Sequence, residues 1–162
     1  MSRRTIAQVL ADAQGRLRRL SPREAQAAVR EGWTLVDTRS AEAIAEDGAI
    51  PGAVQIPLSV LEWRVDPASQ THSPALAGHE DRLVLICEDG YSSSLAAIRL
   101  HELGFADTTD VIGGFVAWLA AGLPIAPRAP RRRARGAIAG SSPRASSRAR
   151  AARGGAPLRR KT

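Results

Sequence analysis

Several things are scarce in this chain of 162 residues, and each scarcity closes a class of explanation. There is one cysteine, Cys87, so no intramolecular disulfide can staple the fold, which fits a reducing compartment. The three histidines, His72, His79 and His101, have no partner at metal-ligand spacing and read as surface or loop residues. Lysine occurs once against 22 arginines, and alanine is abundant, which reads as coding bias from a GC-rich genome rather than as function. No apolar run approaches the roughly 18–20 residues of a membrane-spanning helix. Met1-Ser2-Arg3-Arg4 leads into a stretch interrupted by Asp12, Gln14 and Arg16, not into an apolar run, so no signal peptide is read. A cytoplasmic protein that does not use the membrane is the expectation.

Acid is missing from one region only. Residues 1–125 carry all 16 acidic side chains and 11 of the 23 basic ones, a net charge of −5, whereas residues 126–162 carry the other 12 basic residues and no acid. The overall charge of +7 therefore describes neither part. The first part is long enough to bury a core as one domain. The last 37 residues, with Ile138 and Leu158 as the only large apolar side chains, cannot offset their ordering entropy and are expected to be a disordered Arg/Ala/Pro-rich tail. Twelve positive charges would bind phosphate non-specifically, but there is no aromatic residue in the tail to stack on a base. A plain extension is preferred to a nucleic-acid arm, with contact to acidic partners as a third reading.

What is present alternates. Ile6, Val9, Leu10, Ala13 and Leu17 form a helical stripe over residues 1–19. Ser21-Pro22-Arg23-Glu24 opens a second helix with a capping box and a proline at the first helical position. Short apolar strands follow at Trp33–Asp37, Val54–Ile56, Leu83–Cys87 and Thr109–Ile112, separated by helical patterns at 40–46, 59–64, 91–103 and 115–121. This alternation predicts an α/β fold with a largely parallel sheet. Sites in such sheets lie beyond the carboxyl ends of the strands.

The most informative stretch is Leu83-Val84-Leu85-Ile86-Cys87-Glu88-Asp89-Gly90-Tyr91-Ser92-Ser93-Ser94. An apolar strand stops at the only thiol, a polar loop with one glycine follows, and a helical pattern begins at once. Inward-facing amides of such a loop and the positive end of the helix both favour a thiolate. Gly90 allows the loop a backbone conformation closed to other residues, and Ser92, Ser93 and Ser94 can cap the helix or donate to an anionic sulfur. Glu88 and Asp89 oppose ionisation, each by roughly 0.6 kcal/mol if held in water about 7 Å away. A moderately activated thiol that can meet solvent is expected, rather than a buried structural cysteine.

Four segments carry a family resemblance: Leu35-Val36-Asp37-Thr38-Arg39, Gly48-Ala49-Ile50-Pro51-Gly52-Ala53, Cys87 to Ser92, and Ile112-Gly113-Gly114-Phe115-Val116-Ala117-Trp118 with Gly122-Leu123-Pro124. In this order, over residues 20–125, the chain resembles a rhodanese domain of the single-domain sulfurtransferase kind. The resemblance implies a five-stranded, mostly parallel sheet with helices on both faces, flanked by an N-terminal helix in 1–19 and the tail in 126–162. It implies that Cys87 takes a sulfur from a donor as a persulfide and yields it to cyanide, a small thiol or a protein thiol, with no metal or organic cofactor. Glu88, Asp89, Gly90, Tyr91 and Ser92 would surround the sulfur, and Arg64 could supply a cation. Asp37 and Arg39 read as scaffold, with Arg39 reaching toward Glu42. Two departures stand out. Ala49 occupies a position where the family often has histidine, and the loop is acidic where thiosulfate-using loops usually carry basic residues. The related phosphatase loop would need arginine where Ser93 stands. A non-catalytic rhodanese-like binding module is the alternative reading.

Overall fold

The computed structural model describes residues 2–127. Among them, six α-helices and four strands follow one another as α1 (Ile6–Arg16), α2 (Pro22–Arg30), β1 (Thr34–Asp37), α3 (Ala41–Asp47), β2 (Val54–Gln55), α4 (Leu61–Val65), β3 (Leu83–Ile86), α5 (Ser92–Glu102), β4 (Thr109–Asp110) and α6 (Gly114–Ala120), with short 3-10 helices at Leu58–Val60 and Pro74–Leu76. Local chemistry explains the starts of the first helices. Thr5 with Gln8, and Ser21 with Glu24, form reciprocal capping boxes, and Pro22 opens α2 where its missing N–H costs nothing. Ser40 caps α3 through the Ala43 amide.

The strands pair in parallel in the order β2-β1-β3-β4, with Val36 opposite both Val54 and Leu85, and Leu85 opposite Asp110. The sheet thus has four strands, not the five expected. The fifth row is reduced to a single parallel bridge between Leu20 and Val111, because Ser21-Pro22 turns the chain into α2 immediately. The Leu20 N–H donates to the Asp110 carbonyl, and its own carbonyl accepts from Ile112.

Two apolar layers enclose the sheet. Leu83 and Leu85 face Ala13, Leu17, Leu61, Ala97 and Leu100. Val84 and Ile86 face Ala25, Val111, Phe115 and Trp118. All four β3 side chains are completely buried, which is why this strand reads as an unbroken apolar run instead of an alternating one. Burying them stabilises the fold by roughly 1.5–3 kcal/mol each before entropy is subtracted. Ala13 and Leu17 lie in the same cluster as the strand residues, so the first helix belongs to the packed body. The Ala126 N–H donates to the Ala49 carbonyl. The tail expected from composition falls, from residue 128 onward, outside the described residues. Among the described residues no helix is long and apolar enough to cross a membrane.

Candidate active site

The carboxyl ends of β1, β3 and β4 bring Asp37, Cys87 and Asp110 to one end of the sheet. Directly after β3 the backbone turns sharply, and Gly90 adopts a φ of +75°. A Cβ there would sit 2.6 Å from the Gly113 nitrogen and 2.9 Å from the Val111 carbonyl oxygen, so only glycine fits. The opposing Gly114 is as constrained: a Cβ on it would lie 2.5 Å from the carbonyl oxygens of both Cys87 and Glu88. The two loops therefore meet backbone to backbone. Behind that contact, the Phe115 and Val116 amides donate to the Cys87 and Glu88 carbonyls at 2.8 and 3.1 Å. Gly113-Gly114 is thus a floor for the cysteine loop, beyond the turn chemistry evident from its sequence.

Holding those carbonyls outward leaves the amides of the loop facing the sulfur. Cys87 Sγ accepts from the Gly90 amide at 3.2 Å and the Ser93 amide at 3.4 Å, and lies 3.1 Å from Ser93 Oγ. Burial pushes the thiol up. The Ser92 and Ser93 hydroxyls and the Ser93 and Gly90 amides together outweigh it, so the thiol lies below its ordinary value. The direction agrees with the expectation from sequence. The exposure is lower than expected: Cys87 keeps only 5% of its surface, with Ser93 of α5 packed directly against the sulfur.

The serines do less capping than their position suggests. No side chain caps α5, whose N-cap is Tyr91. Ser92 and Ser93 serve the sulfur, while Ser94 Oγ donates to Asp110 Oδ2 at 2.7 Å and also lies 3.1 Å from the Gly90 carbonyl. Glu88 is half-buried. Burial raises its carboxyl above the usual range, Arg39 opposes this, and Asp47, Asp89 and Asp37 reinforce it. Asp89 and Tyr91 are exposed, the latter by 61%. Arg64 is exposed on α4 and donates to the Thr71 carbonyl at 3.1 Å; among the described residues it has no hydrogen bond or ion pair with the cysteine loop.

Asp37 and Arg39 form the buried pair expected, but Arg39 does not turn to Glu42. Its Nε and Nη2 bind the Asp37 carboxylate, Nη2 also reaches the Gly48 carbonyl, and the guanidinium lies 3.5 Å over the Phe115 ring. A second pair, half-buried Arg19 with buried Asp110, has no counterpart in the expectations. Arg19 Nε and Nη2 bind the two carboxylate oxygens at 2.8 and 3.0 Å, and Nη2 donates to the Gly90 carbonyl at 2.9 Å. Gln14 Nε2 approaches the same carbonyl at 3.4 Å. Asp110 at a strand end was a visible clue; nothing in the sequence distinguishes Arg19 from its many neighbours of the same type. His72 pairs with Glu80 and His101 with the Thr108 carbonyl, and no metal-holding cluster of His, Cys, Asp or Glu exists among the described residues.

Residues 21–121 match the family model of the rhodanese-like domain. The chain is 35% identical over 103 residues to a protein from Pseudomonas savastanoi named thiosulfate sulfurtransferase GlpE, covering 64% of this chain and 88% of that one. It is 39% identical over 88 residues to a maize protein named adenylyltransferase and sulfurtransferase MOCS3-2; this covers 54% of the chain and only 18% of the much longer maize protein. Among solved structures, one from Rhodopseudomonas palustris, described as of unknown function and a possible tyrosine phosphatase, superposes with a TM-score of 0.69 at 31% identity. That likeness covers 78% of this chain and 97% of the other.

Proposed function

The chain belongs to the rhodanese-like domain family, and from that premise we propose that it is a sulfurtransferase that carries sulfur on Cys87. Relatives named as sulfurtransferases support the general activity. The persulfide step is our reading, and the single observation that carries it is the polar shell around Sγ: the Gly90 and Ser93 amides donate to it, and the Ser93 hydroxyl lies 3.1 Å away.

The ionised Sγ attacks the outer sulfur of a donor. The new S–S bond forms as the bond from that sulfur to the rest of the donor breaks, and the leaving fragment takes the electron pair. Cys87 then bears a terminal sulfur whose negative charge the loop amides stabilise. An acceptor nucleophile, cyanide or a thiolate, bonds to that terminal sulfur, and the electron pair of the Cys87 S–S bond returns to Sγ. No redox partner or metal enters this balance. Glu88, Asp89, Gly90, Tyr91 and Ser92 form the donor-facing rim, with Arg64 able to add a cation by releasing Thr71. The carboxylates of Glu88 and Asp89 disfavour a dianionic donor, so a thiol-derived persulfide suits the rim better than thiosulfate.

The likeness to a possible tyrosine phosphatase does not extend to the chemistry. Six positions after Cys87, where a phosphatase loop needs its arginine, the side chain is Ser93, and its hydroxyl touches sulfur and Asp110. Incubation with persulfide donors, followed by intact mass measurement, should add one sulfur atom to the wild type and none to Cys87→Ser. Equal and negligible transfer by both proteins with every donor would replace the enzyme by the binding-module reading. Because Cys87 is so well covered, loading should favour small donors; equal rates with donors of any bulk would contradict the observed closure.

A further inference from the structure

We propose that Arg19 and Asp110 are positioning residues that free the Ser93 hydroxyl to stabilise the ionised sulfur of Cys87. This rests on the reading of Cys87 as the reacting thiol. Asp110 is wholly buried at the end of β4. Its Oδ1 receives Arg19 Nε at 2.8 Å, and its Oδ2 receives three donors: Ser94 Oγ at 2.7 Å, Ser93 Oγ at 3.0 Å and Arg19 Nη2 at 3.0 Å. A carboxylate oxygen has lone pairs for about two. One donor is therefore surplus, and geometry identifies it. Arg19 is held by its second bond to Oδ1 and by the Gly90 carbonyl, and Ser94 makes the shortest contact to Oδ2, with the Gly90 carbonyl at 3.1 Å as its other acceptor. Ser93 is the donor left over, and its Oγ is also 3.1 Å from the sulfur.

Two hydrogen-bond arrangements follow. In the thiol, S–H donates to Ser93 Oγ and the Ser93 hydrogen rests on Asp110. When the sulfur loses its proton to solvent, it becomes an acceptor. The Ser93 hydrogen then turns from Asp110 to sulfur, and Asp110 still keeps Ser94 and both Arg19 bonds. Oδ2 is crowded by three donors in the thiol and relieved to two in the thiolate, which is what makes the exchange inexpensive. Without Arg19, Oδ1 loses its side-chain donor and Oδ2 keeps only the serines. Asp110 then retains the Ser93 hydrogen, and its uncompensated charge also acts on the sulfur.

Other charges lie on the surrounding elements: Glu88 and Asp89 in the loop itself, and Asp37 with Arg39 at the end of β1. The first turns of α5 and α6 carry none. Among the described residues, the Arg19–Asp110 pair, unlike these charges, connects to the sulfur through a hydroxyl. Arg19 also precedes the family-matched residues 21–121, so this device draws on a part of the chain that the family model does not span.

The test is the pH profile of Cys87 alkylation by iodoacetamide in the reduced full-length chain, each variant scaled to its own alkaline plateau so that access cancels. It uses no sulfur donor, so its outcome is independent of whether transfer is observed. Arg19→Gln should displace the profile to higher pH, lowering the fraction of plateau rate reached near pH 6 about threefold. Ser93→Ala should displace it the same way. In the Ser93→Ala background, adding Arg19→Gln should have less than half its original effect, because the hydroxyl through which it acts is gone. An unmoved profile in Arg19→Gln, or full additivity with Ser93→Ala, overturns the proposal. Should Arg19→Gln not fold, Arg19→Lys, which keeps the charge but cannot span both oxygens and the Gly90 carbonyl, should give a smaller displacement in the same direction, and an unmoved profile there overturns it equally.

Discussion

Asp37 closes β1 and Asp110 closes β4, one on each side of β3, and each is fully buried against an arginine. The partner of Asp37 stands two residues away, whereas the partner of Asp110 comes from 91 residues away. Arg39, with 2% of its side chain exposed, fastens the Gly48 carbonyl and the Phe115 ring. Arg19, with 15% exposed, fastens the Gly90 carbonyl and shares its aspartate with two serines of α5. The same pair of residue types therefore does two jobs. One stiffens the scaffold at a distance from the sulfur's own hydrogen bonds. The other ends in the shell of donors around it.

Breaking the scaffold pair should have the largest effect. Arg39→Ala strands a carboxylate in the core and removes the cation over Phe115, and should cost about 3–5 kcal/mol in a urea melt. Whatever remains folded should show a smaller displacement of its alkylation profile than Arg19→Gln gives. Arg19→Gln should cost less, about 1–3 kcal/mol, because Ser93 and Ser94 keep hold of Asp110 and Arg19 is nearer to solvent. If the two variants moved the alkylation profile equally, the contrast between the pairs would have no chemical meaning.

The smallest effect should come from Glu88→Gln. Burial and its acidic neighbours raise the Glu88 carboxyl above the usual range in the folded chain. A raised carboxyl favours folding only while protonated: its contribution is complete below the unfolded value and is lost as pH rises through the folded one. Glu88→Gln should therefore raise the melting temperature near neutral pH by about 1–2 °C and leave it unchanged near pH 3. It should also bring the Cys87 profile to slightly lower pH, by taking a negative charge from the loop. A drop in melting temperature at neutral pH would mean that Glu88 is anchored by Arg39 more strongly than it is repelled.

Much of this could be read from local patterns. The capping residues Ser21 and Glu24, the apolar run of β3 and the glycine after Cys87 act within a few positions of themselves, and their consequences appear in the structure where expected. What escaped notice acts across the fold. Leu20 pairs with Val111 through one bridge, too short to have a pattern, so the edge strand shrinks to a single residue. Gly114 looks like a turn residue until its approach to the Cys87 carbonyl is measured. Arg19 is one arginine among 22, and only the tertiary fold selects it.

The bridge from Arg19 to Asp110 carries a practical lesson about transplanting this module. Edges drawn by sequence likeness and edges drawn by charge balance do not coincide here. A graft limited to residues 21–121 would keep every recognisable motif yet leave an anion in its interior with no counter-ion, immediately beneath the atom meant to react.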